Sequence, residues 1–222
     1  MRQRKQTASP RIQLGHLLLA TLVVAILASV ASATPPGQYR VILKPEMIST
    51  SPAIADFSPL VDEQLDLGDP PTGEPVTAWK AEWRYADQYP VHAVIDLGKE
   101  RPLATFWIYD TNGSGDIKLE AGNPDAWQEV ATYDCSAYKQ WKSIPLDRPA
   151  RYLRLTVIKP APGFNEIAVD AYSPKAYTAL LARQAEQRRL EAEQQAALKH
   201  AREEALKRPL IQLLNISASR GA

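Results

Sequence analysis

The sequence predicts an all-β domain, an antiparallel sandwich or barrel of about eight strands, with an N-terminal signal peptide and a long C-terminal helix. Three observations carry this. Short apolar-alternating runs rich in Val, Ile, Tyr and Trp recur through the middle of the chain. Gly98, Gly113, Gly115, Gly122, Pro124, Pro149, Pro160 and Pro162 punctuate them, with no helical stretch between. The composition is globular: 222 residues, 45% hydrophobic and 23% charged.

The N-terminus comes first. Residues 1–33 open with MRQRK, continue through the 14-residue apolar run Leu17–Val30 (LLLATLVVAILASV) and close with Ala31-Ser32-Ala33. A basic start, an apolar run and an Ala-x-Ala ending are the layout of a secretory signal peptide. Cleavage after Ala33 is expected, with an exported, periplasmic or extracellular product starting at Thr34. An uncleaved segment would instead be a membrane anchor, although the run falls short of the ~20 residues that span a bilayer.

Residues 34–173 hold the strands. The runs are 39–43, 91–97, 104–109, 116–120, 127–133, 141–146, 152–158 and 167–172. The stretch from Ser51 to Tyr89 carries five prolines and reads as long loops with one short helix near Ser58–Gln64. The segment has 13 basic and 20 acidic side chains, a net −7, which argues against nucleic acid or an anionic membrane as partner.

The tail, 174–208, reads as a helix. Ser173-Pro174 supplies an N-cap and a first-turn proline, no Gly or Pro interrupts as far as Lys207, and Arg208-Pro209 closes it. Its apolar residues keep no clean heptad, and acid–base pairs such as Glu203–Lys207 support a solvated spacer rather than a coiled coil. Residues 209–222 form a short apolar segment that reads as the start of a further domain or as a docking peptide.

Catalysis finds little support. His92, the only histidine of the middle segment, alternates with Val91 and Ala93 in a strand. There is no Gly-x-Ser-x-Gly elbow and no set of nucleophile, base and orienting group. The single cysteine, Cys135, excludes an internal disulfide and is expected to be a buried, inert thiol. DTNGSGD (110–116) has Gly115 where an EF-hand loop has its glycine, but position 12 is Ala121, so it reads as a hairpin turn. Trp79, Trp107, Trp127 and Trp141 are expected in the core, and Asp96 is expected to pair with Arg151. WKAEWRY (79–85) is the most suggestive surface cluster. Trp83 fits either a core position or a flat ligand platform, and Arg84 and Tyr85 add polar groups beside it.

Four motifs in order resemble one known family. VIDLGK (94–99), FWIYD (106–110), PARYLRLTV (149–157) and NEIAVDAY (165–172) are similar to the discoidin domain, the C-type domain of coagulation factors 5 and 8. LVDEQ (60–64) followed by Thr77-Ala78-Trp79 resembles its opening element, although Glu63 stands where the family has Gly and the following segment is longer. The resemblance covers roughly residues 40–173. It implies a galactose-binding-like jelly roll that holds a ligand, a carbohydrate in this reading, through loops at one end. Trp83, Arg84, Tyr85 and Asn112 are the expected ligand residues. It also implies a structural calcium, with Asp62, Thr77 and Glu166 at the matching positions. The expected function is that of an exported, non-catalytic binding module. The alternatives are a protein–protein adaptor that uses the helical tail and the accessory domain of a truncated hydrolase.

Overall fold

The computed structural model describes residues 37–53, 56–80, 83–111 and 114–219. The expected signal peptide lies outside them, as does Asn112. Eight strands form the domain: β1 (Gln38–Val41), β2 (Ile48–Ser51), β3 (Trp79–Lys80), β4 (Val91–Asp110), β5 (Ile117–Asn123), β6 (Ala126–Tyr133), β7 (Gln140–Val157) and β8 (Gly163–Tyr172). All pairings are antiparallel.

Two strands are longer than the sequence pattern suggests. The runs 91–97 and 104–109 are one strand, β4, and the runs 141–146 and 152–158 are one strand, β7. Each serves both layers of the sandwich. The first half of β4 pairs with β2 and with the second half of β7, which continues to β5 and β6. The second half of β4 pairs with the first half of β7 and with β8, whose far edge takes β1 and β3. The change of layer falls where the β4–β7 register shifts between Asp96 and Arg101. Gly98, at φ 76, makes that turn, and the side chain of Asp96 accepts its N–H at 2.8 Å. Asp96 meets Arg151 there through two bonds of 2.8 Å, the expected pair, in a solvated position where such pairs contribute little.

The core lies between the layers: Val91, Ile95, Phe106, Ile108, Ile117, Leu119, Leu153, Leu155, Val157 and Val169 alternate inward along their strands. Trp79 is buried as expected, between Phe57 (ring centroids 4.7 Å) and Phe164 (5.2 Å). That stack holds the long 51–79 segment on the sandwich. Trp107, Trp127 and Trp141 are only half-buried, a correction to the sequence reading. Their polar edges or faces need partners at the rim: Trp107 Nε1 donates to Asp170, Trp141 Nε1 to the Gly73 carbonyl, and Arg154 stacks over Trp127. Within 51–89, a single-turn 3-10 helix at Ser58–Leu60 occupies the place expected of a helix, and another runs over Trp83–Gln88.

Helix α1 (Pro174–Ser219) continues past the expected end at Arg208-Pro209. A proline removes one backbone bond, and the leucines at 210, 213 and 214 after it favour helix. Ser173 Oγ caps it by accepting Ala176 N–H, and Tyr177 stacks on Tyr172 at 6.0 Å. From Arg189 outwards the described side chains are exposed, with local ion pairs such as Arg189 with Glu186 and Glu193. None of the described helices is long and apolar enough to cross a membrane.

Truncation after Ala182 is therefore expected to leave the stability within about 0.5 kcal/mol of the full chain, since the described side chains from Ala185 outwards are exposed. Truncation after Ser173 also removes the Tyr172–Tyr177 stack and costs roughly 0.5–1.5 kcal/mol. Parallel melts followed by near-ultraviolet circular dichroism check both; loss of cooperativity in the first would show that α1 belongs to the core.

Candidate functional site

The strand ends gather at one end of the sandwich. Val91 and Ile117 both face Val157, Ile117 faces Tyr133, and Asp110 faces Gln140 and Phe164. The connections after Gly73, Asp110, Tyr133 and Val157 therefore converge there, away from the end where β1 meets Tyr172. Loops on a rigid scaffold are where binding groups are usually carried.

A bulge in β8 shapes this end. Ile108 pairs with Ile167 and Asp110 with Phe164, so two steps along β4 span three along β8. Phe164 and Ile167 both reach the core, and Asn165 and Glu166 lie between them in the bulge. Asn165 is 9% exposed. Its Nδ2 donates to the Pro75 carbonyl at 2.6 Å, while its Oδ1 is buried with no hydrogen-bond partner among the described residues. An acceptor left in that state is costly unless something donates to it.

Asn165 lines a cavity of about 310 Å³ together with Glu74, Pro75, Val76, Tyr109, Thr111 and Lys139. Its walls are held from behind. Trp141 Nε1 donates to the Gly73 carbonyl at 2.7 Å and packs edge-on against Tyr109 at 5.4 Å. Thr111 bonds the Gly163 carbonyl through both its N–H and its hydroxyl at 3.1 Å. Buried Asp110 accepts the Tyr133 hydroxyl at 2.5 Å and Ala137 N–H at 2.9 Å, fixing the loop that carries Lys139. Burial, and after it the Glu74 charge, holds the Tyr109 phenol above its ordinary value, so it stays a donor.

A larger cavity of about 480 Å³ lies beside β1 and the Asp96–Gly98 turn. Its polar groups already have partners: Arg40 with Asp170, Arg101 with the Leu97 carbonyl and Tyr39 hydroxyl, Lys44 with Glu46. The smaller cavity is the better candidate on that ground.

Of the expected ligand residues, Trp83, Arg84 and Tyr85 have their backbone in the 3-10 helix Trp83–Gln88, and their side chains lie outside the described set. Asn112, also outside it, directly follows Thr111 of the cavity. Sequence reasoning missed Glu74, Tyr109, Lys139 and Asn165. One signal was present: Phe164 and Ile167 are three apart rather than two, which breaks strand alternation and marks the bulge.

The expected calcium residues are placed as follows. Glu166 is wholly buried, whereas Asp62 and Thr77 are exposed. Gln64 Nε2 donates to Glu166 Oε1, and Glu63 N–H reaches Oε2 at 3.4 Å. Thr77 donates its N–H to Glu63 Oε1 at 2.7 Å. Among the described residues no three acid, histidine or cysteine side chains gather as metal ligands. The arrangement does not fit a cation held by Asp62, Thr77 and Glu166.

Burial pushes the Glu166 carboxyl up to about 8, with the Asp62 and Glu63 charges adding to the rise against the hydrogen bonds from Gln64 and Glu63. The folded protein thus keeps a proton that the unfolded chain releases near 4.5. This group's contribution to stability falls as pH rises from about 4.5 to 8 and is lost above that. His92 acts oppositely: burial, then the Arg154 charge, lowers its pKa from 6.5, so its contribution grows as pH rises towards that value. Glu166→Gln is expected to remove the alkaline fall in melting midpoint and leave the His92 rise; an unchanged pH profile would refute the assignment.

No family model matches the sequence, and no curated protein matches it. Among solved structures the chain is similar to the family 32 carbohydrate-binding module of Clostridium perfringens NanJ, solved with galactose: 18% identity over 60% of this chain and 98% of that one, TM-score 0.44. It is also similar to chitosan-binding module 1 of a Paenibacillus chitosanase/glucanase, at 18% identity over 59% of this chain and 98% of that one, TM-score 0.43. A third, from C. perfringens, was solved with GalNAc-β-1,3-galactose, at 10% identity over 59% of this chain and 99% of that one, TM-score 0.43. Likeness at this level assigns neither a ligand nor an activity to this chain.

Proposed function

We propose that the protein is a non-catalytic carbohydrate-binding module that seats one sugar residue in the cavity lined by Glu74, Tyr109, Thr111, Lys139 and Asn165. The observation that carries this reading is the loop-end cavity of about 310 Å³ whose wall includes Asn165, its buried Oδ1 unpartnered among the described residues. The volume is at the small end of ligand pockets. A sugar hydroxyl both donates and accepts, and the wall offers both kinds of group: the Glu74 carboxylate accepts, the Lys139 ammonium donates, the Tyr109 hydroxyl does either, and the Thr111 hydroxyl, its proton given to the Gly163 carbonyl, accepts. Trp83, Arg84, Tyr85 and Asn112 enter the proposal as further ligand residues, with Trp83 as a stacking face. An exported location, as residues 1–33 lead one to expect, suits a module that meets glycans outside the cell. That the named neighbours are themselves carbohydrate-binding modules agrees with this reading.

Isothermal titration calorimetry against a panel of galactose, N-acetylgalactosamine, glucosamine oligomers and uronic acids tests it. Lys139→Met and Glu74→Gln are each expected to weaken the bound sugar about ten- to a hundredfold, the worth of one hydrogen bond to a charged group at 1.4 kcal/mol per decade. Both residues are exposed, so their melts should match the parent protein. Trp83→Ala is expected to lose about five- to thirtyfold through stacking, again with the melt intact. Absence of binding across the panel, or equal affinity in all three variants, would refute the site.

A further inference from the structure

The surroundings of Glu166 are organised by a dipeptide, Glu63-Gln64. Gln64 is buried, and both ends of its carboxamide are committed. Oε1 accepts Leu43 N–H at 3.2 Å, which fixes the orientation of the amide, since only an oxygen can meet that donor. Nε2 then donates to Glu166 Oε1 and to the Ile167 carbonyl at 2.7 Å. One side chain thereby links the segment after β1 to the β8 bulge and to the residue that follows it. Glu63 completes the arrangement. Its N–H points to Glu166 Oε2, and its Oε1 accepts Val76 and Thr77 N–H, each at 2.7 Å, closing the loop that ends at Trp79.

A calcium ion gathers six to eight oxygen ligands. Here the Glu166 oxygens face N–H groups, whose hydrogens carry positive charge where a cation would have to stand. Glu63 Oε1 is likewise taken up by two backbone donors. These bonds make the connections that a structural cation makes between an opening loop and a closing strand. We infer that the Glu63-Gln64 dipeptide takes the place of a structural calcium ion, so that the domain folds and holds its loop end without calcium.

The test compares melts of the full chain in chelator and in calcium, with calorimetric titration of calcium alone. The expected result is the same midpoint in both and no heat of binding. Calcium a hundredfold above a dissociation constant would instead raise the midpoint by roughly 5–10 °C, and that shift would overturn the inference. Gln64→Leu keeps the side-chain size and removes the amide; its midpoint should fall by about 5–10 °C through the orphaned Leu43 N–H and Ile167 carbonyl, and calcium should not restore it. A Gln64→Leu midpoint equal to that of the parent, or one recovered by calcium, would equally overturn it. Neither readout depends on sugar binding.

Discussion

Strand β8 is buried over Gly163–Ala171, yet four of its side chains are polar or charged: Asn165, Glu166, Asp170 and, at its exposed end, Tyr172. A buried polar group must find a partner, and much of the remaining chain is arranged to supply one. Asp170 receives Arg40 from β1 and the indole N–H of Trp107 from β4. Glu166 receives Gln64 and the Glu63 backbone. Asn165 holds the Pro75 carbonyl. The long 51–79 segment is thus tied to β8 at several points by polar contacts, in addition to the Phe57–Trp79–Phe164 stack. An irregular segment with five prolines acquires a fixed course because a neighbouring strand needs its donors and acceptors.

The same requirement bears on the loop end. Asn165 satisfies one of its two polar atoms within the protein and leaves the other to whatever enters or lies beneath the cavity. The groups around it sit on strand ends and on loops held by Asp110, Trp141 and Thr111, so the wall is set before any ligand arrives. Pre-organisation of that kind favours recognition. His92 lies on β4 with its Nδ1 against Thr156 Oγ1 at 2.9 Å, outside this cavity wall.

The all-β class was legible because alternation with Val, Ile and aromatic residues is a local property, and it survives in every expected strand. What local alternation does not carry is continuity. Gly98 and Pro149 read as breaks between strands, but Gly98 turns the chain within β4 and Pro149 pairs with Pro102 between two register shifts of the β4–β7 ladder, so each strand passes from layer to layer. β2 and β3 escaped notice because four and two residues are too short for a period to show. The site was less legible than the fold. Lys139 and Glu74 are ordinary surface residues in sequence, and only the pairing of Asp110 with Gln140 and the Asn165–Pro75 bond bring their loops together. Gln64 was equally silent, since a lone glutamine signals nothing until Glu166 is seen to be buried beside it.

Cys135 sits on the loop that Asp110 holds, with no exposed surface and its thiol pushed well above the usual range by burial and the nearby carboxylates. A thiol in that state reacts with neither oxidant nor alkylating agent until the loop lets go. The rate at which an external reagent labels this single sulfur is therefore a clock for opening of the 134–139 loop, separate from unfolding of the sandwich. A ligand seated against Lys139 would slow that clock in proportion to its occupancy, so the protein carries its own reporter of what its binding loop is doing.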